Sequence, residues 1–223
     1  MAFELDHLFI YTTVGAPAAE QLIQFGLTEG SANLHPGQGT ANRRFFFHNL
    51  MLELLWVHDA AEAQSELTRP TYLWERWAGL GQNTCPFGLC LRPGSQPAEG
   101  VPFPCWDYQP AYLPVPLSIA VATSIHVLAE PMLFYLAFRQ RQDTYSGTQA
   151  EPLNHAAGLE EATRVTLTLP QQPPFSPALQ AIVEAGLIRI QAGHEYLLEI
   201  EFDHRLQGIH QDFRPALSLI LRG

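Results

Sequence analysis

The stretch from His35 to Phe47 carries side chains well suited to holding a small ligand. It reads HPGQGTANRRFFF, so a polar segment runs directly into three phenylalanines. Its side chains offer hydrogen-bond donors, acceptors and positive charge, and Gly37 and Gly39 allow a sharp turn close to a ligand. Alternatively, this segment is a polar hairpin turn that binds no ligand. We expect five of these residues to bind a ligand at the mouth of a pocket: His35, Gln38, Thr40, Asn42 and Arg43.

Composition excludes several chemistries. All twelve basic residues among the 223 are arginines, so Schiff-base chemistry and P-loop phosphate binding lack their lysine. The formal net charge of −10 argues against nucleic acid as a partner. The GQGT sequence also lacks the spacing of a nucleotide-binding loop. A small molecule is therefore the expected ligand.

Cysteine usage and the N-terminal sequence both predict a cytoplasmic protein. Cys85, Cys90 and Cys105 form no CxxC pair and are expected to be small buried side chains in a reducing compartment. The opening MAFELDHLFIYTT lacks the basic region of a signal peptide. No apolar run approaches the roughly 20 residues needed to span a bilayer, so we expect no membrane partner.

The elements that must position these residues begin with an alternating strand, FELDHLFIYT, over residues 3–12. A helix follows over PAAEQLIQF, with Pro17 in its first turn and Gly26 after its end. Residues 30–40 are predicted as loop. ANRRFFFHN and MLELLWV then form a hairpin. The first 58 residues thus predict a strand, a helix and two or three further strands.

The middle of the chain, residues 59–158, is less regular. A short helix is predicted over SELTRPTYLWERWAGLG, and strands over FGLCLR, PLSIAVATS and MLFYLAFR. Between them, residues 92–116 are so rich in proline that neither a helix nor a central strand is expected. This segment is either a surface crossover or a lid that Trp106, Tyr108 and Tyr112 pack onto the core.

The C-terminal third, residues 159–223, follows the same order as the first 58 residues. EATRVTLTL predicts a strand, SPALQAIVEAG a helix, and EYLLEIEF and ALSLILR two strands. ELDHLFIYT aligns with EATRVTLTL, and IQFGL with VEAGL, which indicates an internal repeat. We predict an α+β fold of two paired βαβββ modules that form a cupped mixed sheet around a cleft, with an inserted Pro-rich middle segment.

LDHLFIYT, HPGQGTANRRFFF and LELLWV together resemble the glyoxalase-like branch of the vicinal oxygen chelate superfamily. The resemblance implies a lyase, an isomerase or a dioxygenase that acts on a small oxygen-rich or carboxylate-bearing molecule. It also implies a divalent metal, Zn, Fe, Mn or Ni, with His7 and Glu53 as ligands and catalytic residues. A homodimer is also expected as a possible assembly. The alternative function is that of a metal-free protein of the same fold that binds a small ligand.

The internal repeat places Arg164 at the position of His7 and Ser218 at that of Glu53. Arginine does not ligate a metal and repels a cation, so the ligand set is half missing on this alignment. His126 and Glu130 would be possible additional ligands. Without a metal, Arg164 and Ser218 would instead bind an anionic ligand together with His7. A buried pair of Glu53 and Arg164 that joins the modules is a third possibility.

Overall fold

Two mixed sheets make up the fold. The computed structural model describes residues 1–96, 100–170 and 173–223, and residues 97–99 of the Pro-rich segment therefore lie outside the described chain. The strand order is β2-β3-β4-β1-β5-β8-β7-β6 in the first sheet and β10-β9-β11-β13-β12 in the second. With few helices beside two large sheets, the predicted α+β class is confirmed.

The bounds of the elements follow the hydrophobic alternation closely. The strands are β1 Phe3–Tyr11, β2 Asn33–His35, β3 Thr40–Phe46, β4 Met51–Val57, β5 Phe87–Pro93, β6 Cys105–Tyr108, β7 Ile119–Ala122, β8 Met132–Tyr135, β9 Ala162–Leu169, β10 Arg189–Ala192, β11 Leu197–Phe202, β12 His210–Asp212 and β13 Leu219–Arg222. The helices are α1 Ala19–Phe25, α2 Ala60–Ala63, α3 Leu73–Ala78 and α4 Pro177–Glu184. Sequence patterns missed β2, β6, β10 and β12, which are short strands at the edges of the two sheets.

The eight-stranded sheet consists of two similar halves. In the first half β1 pairs in parallel with β4, and in the second half β5 pairs in parallel with β8. The two halves meet where β1 and β5 pair antiparallel. The partner of the first βαβββ module in this sheet is therefore the middle of the chain, residues 87–135. The C-terminal third builds the five-stranded sheet instead.

An apolar core lies between the two sheets. Leu8 and Ile10 of β1 pack in the same cluster as Leu167 of β9, and α1 and α4 contribute Leu22 and Ile182 to it. Because side chains alternate along a strand, His7, Phe9 and Tyr11 point to the opposite face of β1. That face, which carries neither α1 nor α4, forms the cleft.

No helix among the described residues is long and apolar enough to cross a membrane.

Candidate active site

The cleft of the eight-stranded sheet encloses a cavity of about 230 Å³. Its first half contributes most of the polar side chains, and its second half contributes Arg139 and an apolar wall. The polar lining residues used below are His7, His35, Gln38, Asn42, Arg44, Glu53 and Arg139, and the apolar wall includes Val121, Met132, Phe134 and Leu136. Such a mixture suits a small molecule with an apolar body and a few polar groups.

His7 is fixed from behind by its neighbour Asp6. A bulge in β1 lies between Leu5 and His7, which frees Asp6 from the regular strand alternation. The Asp6 carboxylate oxygen Oδ2 lies 2.7 Å from His7 Nδ1, and Asp6 is completely buried. The Phe134 ring meets the imidazole edge-on, with 5.3 Å between ring centroids. His7 is thus oriented with Nε2 toward the cleft.

Asp6 is ionised and is surrounded by cations. Burial alone would raise the pKa of Asp6, but the hydrogen bond and charge of His7, together with Arg139 and Arg92, hold this pKa below its usual value. Arg139 Nε lies 3.4 Å from Asp6 Oδ2, and Arg92 lies 3.8 Å from Oδ1. A buried carboxylate that bonds Nδ1–H of a histidine supports that histidine as a proton acceptor at Nε2.

Glu53 lies on β4, the strand next to β1, and its side chain faces that of His7. Its oxygen Oε2 lies 3.7 Å from His7 Nε2, and both side chains are nearly buried. Asn42 on β3 donates a hydrogen bond from Nδ2 to the other oxygen of Glu53. Arg44 stands directly opposite Glu53 in the strand pairing and therefore shares its face. His7 and Glu53 thus come together in the cleft, as the sequence predicted for two neighbouring strands.

The polar loop lies at the rim of the cleft. Thr40 Oγ1 accepts a hydrogen bond from Gln38 Nε2 at 2.8 Å and lies 2.9 Å from His35 Nδ1. Burial lowers the pKa of His35 and thus favours its neutral form. Gly39 adopts a φ of 75°, and a Cβ there would lie 2.2 Å from the Asp59 carbonyl oxygen. Only glycine fits this turn without displacement of the neighbouring backbone.

Tyr112, from the Pro-rich segment, packs over this rim. Its ring lies 4.8 Å from that of His35, and its hydroxyl donates a hydrogen bond of 3.4 Å to Gln38 Oε1. The structure therefore brings His35, Gln38 and Asn42 to the cavity lining. Thr40 is fully buried just behind it, where it bonds the first two.

Arg43, which the sequence predicted as a ligand-binding residue, does not lie among the residues that line the cleft. Adjacent residues of a strand point to opposite faces, and it is Arg44 that lines the cavity. Arg43 instead pairs with Glu29 and Glu20 on the other face, at 2.6 Å and 2.8 Å.

Arg164 and Ser218 also lie away from the cleft, because Arg164 is in β9 of the five-stranded sheet and Ser218 immediately precedes β13 of the same sheet. Arg164 is on its outer face and bonds Glu201 at 3.2 Å, which also excludes a buried pair with Glu53. Ser218 uses its backbone carbonyl to accept a hydrogen bond from Leu198. The sequence alignment paired the first module with the wrong segment, because strand order alone does not specify which strands pair.

His126 and Glu130, which the sequence predicted as possible additional metal ligands, do not lie beside His7 either. His126 is exposed, and its Nδ1 lies 3.2 Å from the Thr123 carbonyl oxygen. Glu130 is buried, but its Oε1 accepts a hydrogen bond from the backbone N–H of Ser176 at 2.7 Å. This bond ties the eight-stranded sheet to the segment that starts α4.

The cleft does not fit the metal site that the resemblance implies. Among the described residues, no third His, Cys, Asp or Glu has a ligand atom within 4.8 Å of those of both His7 and Glu53. The second half of the sheet offers Met132 and Phe134 on the strand that corresponds to that of Glu53. Two protein ligands seldom hold a divalent ion firmly, and Arg44 and Arg139 in the same cavity would repel one.

Asp6, His7 and Cys90 do lie within 4.8 Å of one another. However, Asp6 is already bonded to His7 and neighbours two arginines. Burial raises the pKa of the Cys90 thiol well above its usual value, which disfavours the thiolate that a metal requires. Asp6 therefore supports His7 by a hydrogen bond rather than forming a ligand set with it and Cys90.

Three residues of the site were missed by sequence reasoning: Asp6, Arg44 and Arg139. The adjacent pair Asp6-His7 was a usable signal, since a carboxylate beside a histidine is a common catalytic combination. Arg44 follows from the alternation of β3 once Asn42 is placed in the cleft. Arg139 carried no signal, because its position depends on the pairing of β5 with β8.

Similarity to known proteins extends to the fold alone. No family model matches the sequence, and no curated protein matches it either. A solved structure of a hypothetical protein from Staphylococcus aureus is similar, with a TM-score of 0.56 and 11% identity over 100% of this chain and 98% of that chain. A hypothetical protein from Bacillus halodurans aligns with 63% of this chain and 98% of its own, at 11% identity and a TM-score of 0.40.

Proposed function

We propose that this protein is a metal-independent enzyme of isomerase or lyase type, of the vicinal oxygen chelate kind, that moves a proton on a small carboxylate-bearing molecule. The observation that carries the proposal is the buried row Asp6, His7 and Glu53, which opens into a mostly apolar cavity. A histidine that is held at Nδ1 and free at Nε2 is a general acid and base suited to neutral pH.

Each part of the cleft has a role in this reaction. Arg44 and Arg139 attract the carboxylate of the ligand, and the wall around Phe134 accepts its apolar body. His7 Nε2 then takes a proton from the carbon next to a carbonyl group and returns it to a neighbouring atom. Asp6 stabilises the imidazolium formed in between. Glu53, which Asn42 orients, is a second proton acceptor beside the ligand carbon that gives up its proton.

Dioxygenase chemistry is not part of this proposal, because the described side chains that line the cleft do not supply the ligand set of a redox metal. A ligand-binding protein without catalysis is the alternative. The two differ in one respect: only the enzyme transfers protons.

Hydrogen–deuterium exchange tests the proposal directly. The protein is incubated in D₂O with a panel of small 2-oxo and 2-hydroxy carboxylic acids with aliphatic or aromatic bodies, and carbon-bound deuterium is measured by NMR. We expect exchange on at least one member, and a loss of about 10²–10⁴-fold in His7→Gln. Saturable binding without exchange would support the binding protein, and exchange that survives His7→Gln would contradict the role of His7.

We also propose that the protein is cytoplasmic and forms a homodimer. The three cysteines are free thiols and Cys85 and Cys90 are buried, which supports a reducing, cytoplasmic setting. The homodimer stays a prediction, for which analytical ultracentrifugation is the measurement.

A further inference from the structure

The five-stranded sheet repeats the arrangement of the sheet that carries the cleft. Its first strand, β9, pairs in parallel with β10 and antiparallel with β11, and β11 pairs in parallel with β13. This is the pattern of β1 with β4, β5 and β8. In both sheets the helix that follows the first strand packs into the shared core. The outer face of the five-stranded sheet therefore corresponds to the cleft face of the larger one.

This outer face forms a groove of about 480 Å³ rich in arginine. Four of the twelve arginines of the chain line it, in a protein whose net charge is −10. Arginines outnumber glutamates two to one among its charged residues, which are Arg164, Arg189, Arg205, Arg222, Glu199 and Glu201. A local excess of positive charge on an acidic protein attracts anions to this place.

The two glutamates orient part of this set. Arg164, Glu201 and Arg222 lie side by side on three adjacent strands. Arg164 bonds Glu201 at 3.2 Å, and Arg222 Nε donates to Glu199 at 2.8 Å. Arg189 makes no ion pair with a described residue, although it stands next to Thr166 in the strand pairing. Its guanidinium is available to a ligand.

An unusual turn brings the fourth arginine to the groove. Asp203, His204 and Arg205 have φ values of 48°, 54° and 64°, although none of them is glycine. The Asp203 carboxylate holds the turn by accepting hydrogen bonds from the backbone of Glu160 and Glu161. Such strain persists only where its surroundings enforce it, and it is frequent at ligand clamps. Arg205 Nε reaches 3.9 Å from Glu201 and leaves most of its donors free.

We infer that this groove is a second binding site, for a small phosphate-type anion. Planar guanidinium groups bind phosphate oxygens in pairs, and the absence of lysine makes arginine the means by which this chain recognises them. Arg189 and Arg205 contact the anion, while Arg164 and Arg222 complete the positive field. The site is independent of the proton transfer proposed for the cleft.

Calorimetric titration of the full chain with inorganic pyrophosphate, and separately with glycerol 3-phosphate, tests this site at low ionic strength. We expect saturable binding of at least one, weakened about tenfold by Arg189→Gln and by Arg205→Gln. Arg69→Gln is the matched control, since Arg69 is also exposed and makes no ion pair with a described residue. Glu201→Gln should tighten binding severalfold because it removes a repelling charge and releases two arginines.

Glu201→Gln keeps the test decisive, because a gain in affinity does not arise from misfolding. The proposal is overturned by the absence of saturable binding to both anions, or by equal affinity in the wild type and the two arginine variants. It is also overturned if Arg139→Gln, which changes the cleft, abolishes the binding while the groove variants do not. A stronger response to pyrophosphate indicates an inorganic or diphosphate ligand, and a stronger response to the monoester indicates a phosphorylated metabolite, both of which support the site.

Discussion

The two halves of the eight-stranded sheet share one backbone plan and carry opposite chemistry. His7 and Glu53 occupy the cleft face of β1 and β4, whereas Gly88 and Phe134 occupy the cleft face of β5 and β8. The two halves thus have the same backbone arrangement, but only the first half carries His7 and Glu53. The half with polar side chains provides the chemistry, and the half with apolar side chains excludes water, which strengthens the electrostatic contacts in the cleft.

The largest effect is expected where the support of His7 is removed. Asp6→Asn takes away the charge that stabilises the protonated ring and the acceptor that fixes Nδ1–H. We expect the deuterium-exchange rate to fall about 10²-fold or more and its pH profile to shift, while ligand affinity stays within about twofold. Asp107→Asn, an exposed aspartate at the edge strand β6, is the control. An unchanged rate and profile in Asp6→Asn would show that His7 works without this support.

The same variant changes stability, and the change depends on pH. Asp6→Asn leaves the guanidinium of Arg92, only 1% exposed, without one of its two carboxylate neighbours. We expect a loss of about 3 kcal/mol in the free energy of unfolding at pH 7, measured by urea denaturation. Because folding lowers the pKa of Asp6, its contribution is present above about pH 4 and is lost as the pH falls through the folded value.

The difference between the wild type and Asp6→Asn should therefore shrink below about pH 4. A constant difference down to pH 2, the lower end of the measurable range, would contradict the assignment of Asp6 as an ionised group with a lowered pKa.

A smaller loss of stability is expected when the second half gains a side chain. A Cβ on Gly88 would lie 2.1 Å from the Phe9 ring, which is buried against Tyr11 and Phe134. Gly88→Ala should cost about 1–3 kcal/mol of unfolding free energy and displace Phe9 toward the cavity. Thermal unfolding and ligand titration measure both effects. Wild-type stability in this variant would mean that the two halves are packed less tightly at β1 and β5 than the structure shows.

The smallest effect separates two adjacent arginines. Arg44 lines the cleft opposite Glu53, and Arg43 pairs with Glu29 on the other face. Arg44→Gln should weaken the binding of a carboxylate ligand about tenfold, and Arg43→Gln should leave it unchanged. Calorimetric titration with the ligand identified by exchange provides the comparison. Equal effects of the two substitutions would contradict the assignment of faces.

Strand alternation and turn chemistry explain why much of the fold is predictable. The alternating FELDHLFIYT gives β1, the proline and glycine around PAAEQLIQF delimit α1, and LELLWV gives β4. These are local signals. The pairing of residues 87–135 with the first module is not local, because loops of different length can close at similar entropic cost. For that reason the sequence repeat predicted the C-terminal third as the partner of the first module, whereas residues 87–135 pair with it in the structure.

The same distinction applies to the site. His7 and Glu53 were predicted together and lie 3.7 Å apart, since both belong to strands of one module. Arg139 and Phe134 belong to the other half of the sheet, and Tyr112 to the Pro-rich segment, so their contribution depends on long-range pairing. The adjacent pair Asp6-His7 was a usable sequence signal, but the placement of Asp6 behind His7 depends on a bulge that strand alternation does not reveal.

The position of the proton on the His7 ring shows whether Asp6 prepares this histidine to accept a proton at Nε2. In protein labelled with ¹⁵N-histidine, the nitrogen shifts of the neutral ring distinguish Nδ1–H from Nε2–H, and His7→Gln assigns the signal. Because Asp6 Oδ2 lies 2.7 Å from Nδ1, we expect the proton of the neutral ring on Nδ1 and a free Nε2 in the cleft. A neutral ring with its proton on Nε2 would contradict this expectation.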